Sequence, residues 1–285
     1  MIEIISPGLF ATVQDLGRAG LAELGVGESG AADAGSLARA NRLVGNPAGA
    51  AGLELTFGGL VARFAEPATI ALAGAPCTLT VDGTEHGLDT TIEVPGDAEL
   101  RVGRPGRGLR TYLAVRGGIA VPPVLGSRST DILAGLGPAV LAKGMVLPVG
   151  PPPAGEPAGP AEPGVPPPLD VPVLRVLPGP RDDWFVADAL SRLVSGPYRC
   201  TTDSNRVGMR LAGPELPRQV TSELPSEGMV RGSLQVPPSG QPIVFLADHP
   251  VTGGYPVIAV VVAADLDAAA QVRPGQSLRF ELADR

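Results

Sequence analysis

Residues 61–118 read VARFAEPATIALAGAPCTLTVDGTEHGLDTTIEVPGDAELRVGRPGRGLRTYLAVRGG. Six apolar runs follow one another here: VARFAE, TIALAG, CTLTVDG, TIEVPG, AELRVG and RTYLAVRGG. They are short and are bounded by Gly, Pro or Asp, as β-strands closed by turns should be. The far end of the chain repeats the pattern in LRVLPG (174–179), IVFLAD (243–248), VIAVVVAAD (257–265) and SLRFEL (277–282). Composition agrees. Gly (39) and Pro (32) make up a quarter of the 285 residues, and most of them punctuate apolar runs, which fits a turn-rich β protein. Only 4% of residues are aromatic, so a core must be built from Val, Leu, Ile and Ala.

Between the two strand-rich regions lies PVGPPPAGEPAGPAEPGVPPPLDVP (148–172), eleven of whose 25 residues are proline. Such a segment is extended and semi-rigid and cannot build a core. The expected division is therefore 1–147, a linker or loop at 148–172, and 173–285. Three stretches read as helices. Asp33–Val44 opens on a capping Asp and carries Leu37, Ala40 and Val44 on one face. Asp183–Val194 carries Val186, Leu190 and Leu193, and Asp265–Val272 is short and stops before Arg273-Pro274-Gly275. PGDAELRV (95–102) echoes PGQSLRF (274–280). That echo reads equally as two halves built alike or as a common turn-plus-strand pattern arising twice.

Charge narrows the classes of partner. The net charge is −7, Lys143 is the sole lysine and no basic block exists, which argues against nucleic acid. MIEIISPGLF lacks the basic start and apolar core of a signal peptide. The longest apolar run, Pro256 to Ala264, is too short to span a bilayer. The expectation is a cytoplasmic protein with no membrane partner, whose Cys77 and Cys200 form no disulfide framework.

Generic catalytic motifs are weak. There is no GxxxxGK[ST] phosphate loop, no HExxH and no CxxC, and GSRS (126–129) lacks the second glycine of a nucleophile elbow. Two histidines and two cysteines far apart make a protein-built zinc site improbable, so no metal is expected on these ligands. His86, in DGTEHGLD, reads as solvated surface. His249, in DHPVTGGYPVI (248–258), is more often structural than catalytic in such a setting.

Longer segments are more specific. TVQDLGRAGLAELGVGESGAADAGSLARANRLVGNPAGAAGLELTFGG (12–59) resembles the opening signature of the allophanate hydrolase subunit 2 family, and VLGSRSTDILAGLG (124–137) its central motif. The family is also called biotin-dependent carboxyltransferase-like, or Kip-inhibitor antagonist. LPGPRDDWF (177–185), DSNRVGMRLAGPEL (203–216), SEGMVRGSLQVPPSGQPIVFLAD (226–248) and TGGYPVIAVVVAADL (252–266) match in order. The resemblance implies a mainly β fold of two cyclophilin-like β-barrel subdomains with a few short helices. It implies a partner, the subunit 1 (Kip inhibitor) homologue, and a third hydrolytic subunit. Bacterial members with such a partner resemble the C subunit of ATP-dependent 5-oxoprolinase, with ATP as co-substrate, together with magnesium. Alternatives are a regulatory antagonist that binds the Kip-inhibitor homologue without turnover, and an allophanate hydrolase or urea carboxylase-type component. The chain carries no biotin-carrier Met-Lys-Met. His249 and Val251 stand where the family often has polar or basic residues, which argues against His249 as a shared base.

Opening a cyclic amide with ATP needs anion clamps, stabilisation of the amide oxygen, and a carboxylate that moves protons. Within the matched segments the expected catalytic residues are Glu227, Asp248 and Arg128. Asp15 is a further carboxylate candidate. Expected substrate or nucleotide contacts are Arg18, Ser127, Asn205, Arg206, Gln235, Thr252, Gly253, Gly254 and Tyr255. Two readings stay open at this point. Arg206 serves a site or pairs with nearby Asp203, and Gly253-Gly254 presents backbone N–H groups or simply turns the chain.

Overall fold

The structure is a computed structural model, and it describes residues 1–155 and 171–284. Most of the proline-rich segment, 156–170, lies outside the described residues. The fold is mainly β and divides into two compact units. The linear division places residues 19–28 and 132–134 with the first half, but in the structure they pack as part of the second unit. Among the described residues no helix is long and apolar enough to cross a membrane.

The first unit holds β1 (Ile2–Ser6), β2 (Phe10–Gln14), α1 (Ala34–Leu43), β3 (Gly52–Thr56), β4 (Val61–Phe64), β5 (Ala68–Gly74), β6 (Leu79–Val81), β7 (Thr84–His86), β8 (Thr91–Val94), β9 (Glu99–Val102), β10 (Arg110–Val115) and β11 (Val146–Leu147). They form two sheets, β11-β1-β4-β9-β6-β7 and β2-β3-β10-β5-β8. The sheets share one apolar core, with Ile2, Ile4, Phe64 and Leu100 from one and Val13, Leu53, Leu72 and Leu113 from the other. β10 is buried along its whole length. Its Leu113 and Val115 face that core, while Ala114, with Ala71 and Ala73 of β5, receives Ala40, Leu43 and Val44 at α1. Alanines at this contact let the helix approach the sheet closely. Asp33 caps α1 as expected, its carboxylate accepting from the Ser36 amide at 2.8 Å. His86, read as a solvated turn residue, is instead half-buried in the β6–β7 hairpin opposite Leu79.

The second unit holds β12 (Val173–Pro178), α2 (Ala189–Ser195), β13 (Tyr198–Cys200), β14 (Gly208–Ala212), β15 (Glu227–Gly228), β16 (Ser233–Gln235), β17 (Ile243–Phe245), β18 (Thr252–Gly253), β19 (Val257–Val261), α3 (Leu266–Ala270) and β20 (Ser277–Leu282). Seven strands close a barrel in the order β12-β19-β16-β17-β14-β13-β20. The parallel pairing of β12 with β20 completes the ring. Leu174, Val176, Leu211, Leu234, Val244 and Ile258 fill the barrel, with Tyr198 set edge-on to Phe280 at 5.6 Å. The helix expected over 183–194 is broken. A single 3-10 turn, Asp182–Trp184, is followed by an extended Phe185, and α2 starts only at Ala189. Phe185 is buried and bridges Arg218, so core packing overrides the local helical pattern. The two halves of the sequence echo both form turn plus strand, β9 and β20. β9 is antiparallel to both neighbours and β20 parallel to one of its two, so the echo reflects local turn chemistry rather than a shared topology. No disulfide joins Cys77 and Cys200.

Two buried tyrosines set an alkaline limit. Burial pushes both the Tyr112 and the Tyr198 phenol up, and the nearby charges of Glu54 and Asp33 push Tyr112 further. In each case the folded pKa lies above the unfolded value of about 10. The stabilisation is therefore complete below pH of about 10 and is lost as pH rises above it. Phenolate absorbance from these two residues is expected to appear only together with unfolding, monitored by circular dichroism in parallel. Ionisation of Tyr112 or Tyr198 in the intact fold, identified with the Tyr→Phe variants, would contradict this.

Candidate functional site

In the first unit the residues expected at a site gather around Asp15, which follows directly on β2. The Asp15 carboxylate accepts from Ser127 Oγ at 2.6 Å, Ser129 Oγ at 2.5 Å, the Gly17 amide at 2.8 Å and the Arg128 amide at 2.6 Å. A tight turn with Leu125 (φ 51) and Gly126 (φ 82) delivers this loop. A positive φ is costly for leucine and free for glycine. Ser127 is fully buried and its hydroxyl is committed to Asp15, so it acts as scaffold. Arg128 Nε donates to the Val121 carbonyl at 2.7 Å, while its two terminal nitrogens have no partner among the described residues. This leaves a guanidinium fixed at its base with an open fork, the shape that receives carboxylate or phosphate. Arg18 is buried. It donates to the Ser129 carbonyl at 2.6 Å and lies 3.9 Å from Asp131, and its Nε and Nη1 make no hydrogen bond among the described residues.

In the second unit the two expected proton-moving carboxylates are each held by an arginine. Asp248 forms a bidentate pair with Arg206, Nε to Oδ2 and Nη2 to Oδ1, both at 2.9 Å, and also accepts from the Ile132 amide at 3.1 Å. Both side chains are buried. Arg206 therefore pairs with Asp248 and not with its sequence neighbour Asp203. Glu227, paired in the ladder with Gly253, is gripped by both Nε and Nη2 of Arg181. That hydrogen-bonded guanidinium holds the Glu227 carboxyl below the usual range, despite partial desolvation. A carboxylate of lowered pKa is a weak base at neutral pH, so the geometry fits anchoring better than proton transfer for Glu227. Its stabilising contribution is present above the ordinary carboxylate pKa and is lost as pH falls through the lowered one.

A cavity of about 600 Å³ lies beside the Arg206–Asp248 pair on the outer face of β14, β17 and β16, with Asn205 and Val207 in its wall. Strand alternation builds it. Met209, Leu211, Leu234 and Val244 point into the barrel core, so Gly208, Arg210, Gln235, Ile243 and Phe245 point outward. Register sets Arg210 and Gln235 on either side of Ile243, and Gly208 opposite Phe245. Asn205, Gln235 and Tyr255 of the expected residues line the cavity, together with Asp203, Arg210, Ile243 and Phe245. Gln235 donates to the Tyr255 carbonyl at 3.2 Å. Thr252 and Gly254 are exposed and are not part of the wall. His249 is a backing residue: its ring stacks on Phe245 at 6.2 Å and its Nδ1 lies 2.8 Å from the Pro250 carbonyl. Among the described residues no group of three His, Cys, Asp or Glu is placed to hold a metal ion.

Comparison with known proteins assigns this architecture. Residues 24–282 match the family described as carboxyltransferase domain, subdomain A and B. The chain belongs to this family. It is 39% identical to the C subunit of 5-oxoprolinase from Escherichia coli (strain K12), over 98% of this chain and 90% of that protein. The crystal structure of TTHA0988 superposes with a TM-score of 0.90 at 40% identity, covering 98% of this chain and 55% of that one. The crystal structure of the K. lactis urea amidolyase gives a TM-score of 0.93 at 29% identity, covering 99% of this chain and 19% of that one. The chain thus spans about half of one solved relative and a fifth of the other.

In this carboxyltransferase-domain chain, Gly253 and Gly254 differ sharply. Neither has a positive φ. A Cβ on Gly253 would lie 2.5 Å from Gln235 Nε2 and 3.2 Å from Met229 Cγ, whereas one on Gly254 would meet only the Leu224 carbonyl at 3.7 Å. Gly253→Ala is expected to push Gln235 off the Tyr255 carbonyl, costing about 1 kcal/mol, while Gly254→Ala stays within about 0.5 kcal/mol. Denaturant unfolding of both variants checks this, and equal stabilities would refute it. Reading the sequence missed Arg181 and Arg210, and named Asp203 only as a partner for Arg206. Arg181 and Arg210 lie inside matched segments, but nothing local marks one arginine as paired and another as open.

Proposed function

We propose that this chain is the C subunit of an ATP-dependent 5-oxoprolinase, an enzyme that opens 5-oxoproline to glutamate with hydrolysis of ATP to ADP and phosphate. It acts in the cytoplasm with a subunit 1 (Kip inhibitor-like) homologue and a third hydrolytic subunit. The observation that carries this reading is the end-to-end match to a protein of that name, 98% of this chain against 90% of the relative. The geometry supports a role in binding and orienting. Arg128 offers an open fork on a loop locked by Asp15, suited to an anionic group of substrate or to charge developing on the amide oxygen. The Arg206–Asp248 pair fixes the turn whose Asn205 and Val207 line the cavity.

ATP with magnesium takes several cations around its phosphates. The barrel cavity gathers no such set, since its wall carries one guanidinium and one carboxylate. ATP is therefore proposed as co-substrate of the assembly, bound outside that cavity.

The TM-score of 0.93 to a urea amidolyase favours a second reading, a urea- or allophanate-directed component. Reconstitution separates the two. The three subunits together should release ADP in response to 5-oxoproline and not to urea or allophanate, and omitting this chain should abolish the release. If the other subunits work equally well alone, while this chain still binds the subunit 1 homologue, the proposal gives way to a regulatory antagonist.

A further inference from the structure

We propose that the outer-face cavity of the barrel is the binding site for the cyclic amide, with Arg210 as the anchor for its carboxylate. The inference rests on the proposed activity and goes further by naming the site and the contact.

Four polar groups on the cavity wall carry it. Arg210 uses its backbone amide, bonded to Ser204 Oγ at 3.0 Å, but its guanidinium has no partner among the described residues. Asp203 lines the same cavity and its carboxylate is likewise unpaired among them, so two opposite charges on one hairpin face the cavity without meeting. Asn205 Oδ1 accepts from the Val207 amide at 2.8 Å and the Gly208 amide at 3.3 Å, which fixes its side chain and leaves Nδ2 to donate. Gln235 is 6% exposed and spends Nε2 on the Tyr255 carbonyl, so Oε1 remains as an acceptor. Phe245 and Ile243 supply the apolar floor, and the β14–β17–β16 register puts Arg210, Ile243 and Gln235 in one row.

A ligand complementary to this wall has one anionic group, one hydrogen-bond acceptor, one donor and a small apolar body. 5-Oxoproline has a carboxylate for Arg210, a ring carbonyl for Asn205, a ring N–H for Gln235 and three carbons of ring for the Phe245–Ile243 floor. Urea has neither charge nor apolar surface. Allophanate has a charge but no apolar body. A nucleoside triphosphate brings several negative charges to a wall whose formal charges cancel. Asp203 suits the product as well. Breaking the ring N–C(=O) bond frees an amine on the carbon that bears the carboxylate, and this ammonium then finds a carboxylate beside the arginine that holds its neighbour.

The full-length chain alone tests the site, by calorimetry with 5-oxoproline and with 2-pyrrolidinone, the same ring without the carboxylate. 5-Oxoproline should bind at least about 10-fold more tightly. Arg210→Gln should weaken 5-oxoproline by about 10- to 100-fold and leave 2-pyrrolidinone unchanged, with Arg210→Lys recovering part of the loss. Arg210 is exposed, so these variants should fold, and the comparison of the two rings on the unaltered chain needs no substitution. In the assembled enzyme the same loss should appear in KM with kcat largely kept. If the enzyme turns over 5-oxoproline but Arg210→Gln leaves KM unchanged, the site assignment fails and the activity stands. If no 5-oxoproline-dependent turnover occurs, yet the chain binds 5-oxoproline through Arg210, the activity fails and the site stands. Weakening of ATP rather than 5-oxoproline by Arg210→Gln overturns the assignment.

Discussion

Arg206→Met is expected to destabilise the barrel unit by about 3–5 kcal/mol. The substitution keeps most of the volume but leaves the Asp248 carboxylate buried with its guanidinium partner gone. Asp248 is 2% exposed and Arg206 is among the largest fully buried side chains, so water cannot take over the lost contacts without opening the loop. Asp248→Asn should cost less, because the amide keeps the shape and one acceptor. The double variant Arg206→Met/Asp248→Leu should recover part of the loss, since two desolvated charges are replaced by apolar groups while the Ile132 amide loses its acceptor. Urea unfolding of the two single variants and the double one forms a cycle that isolates the pair. A single-variant cost below about 1 kcal/mol would show that the charge is not confined as described. The double variant also separates two roles for Asp248. If it only anchors the loop after β17, turnover by the assembled enzyme should return with stability. If it touches the reacting groups, stability returns and turnover does not.

Asp15→Ala is expected to cost about 4 kcal/mol, because charge-assisted hydrogen bonds of the kind it makes contribute about 1.5–3 kcal/mol each, not additively within one node. It should also disable the assembled enzyme even where the variant remains folded. One carboxylate satisfies two serine hydroxyls and two backbone amides here. The loss reaches function because the Arg128 amide is one of the four donors, and the open guanidinium fork takes its position from that contact. Asp15→Asn should fall between, since it presents one good acceptor and one group that faces a donor with a donor. Thermal unfolding and 5-oxoproline-dependent ADP release, measured on the same preparations, check the coupling. Normal stability in Asp15→Ala would refute the node.

The serines and Arg128 are readable as a cluster because they are adjacent, in Gly-Ser-Arg-Ser. Their dependence on Asp15 is not, since 112 and 114 residues separate the bonded pairs. Asp248 draws notice as the end of an apolar strand, and Arg206 as an arginine in a polar turn beside Asp203. Closing the barrel sets Arg206 against Asp248 instead, 42 residues away. Gly253 and Gly254 look interchangeable in sequence, and the positions of Gln235 and Met229 distinguish them. The broken helix at Phe185 has the same origin, a local pattern overruled by a place in the core.

The strands, the turns, the capped helix at Asp33 and the kinship of the chain are all legible in the order of its residues. They depend on alternation, punctuation and runs of residues that lie close together along the chain. Which arginines are spent and which are open emerges only when the barrel closes. Partnership of a side chain is set by the register of strands far apart in sequence, where a slip of one residue would turn Arg210 inward and Met209 outward.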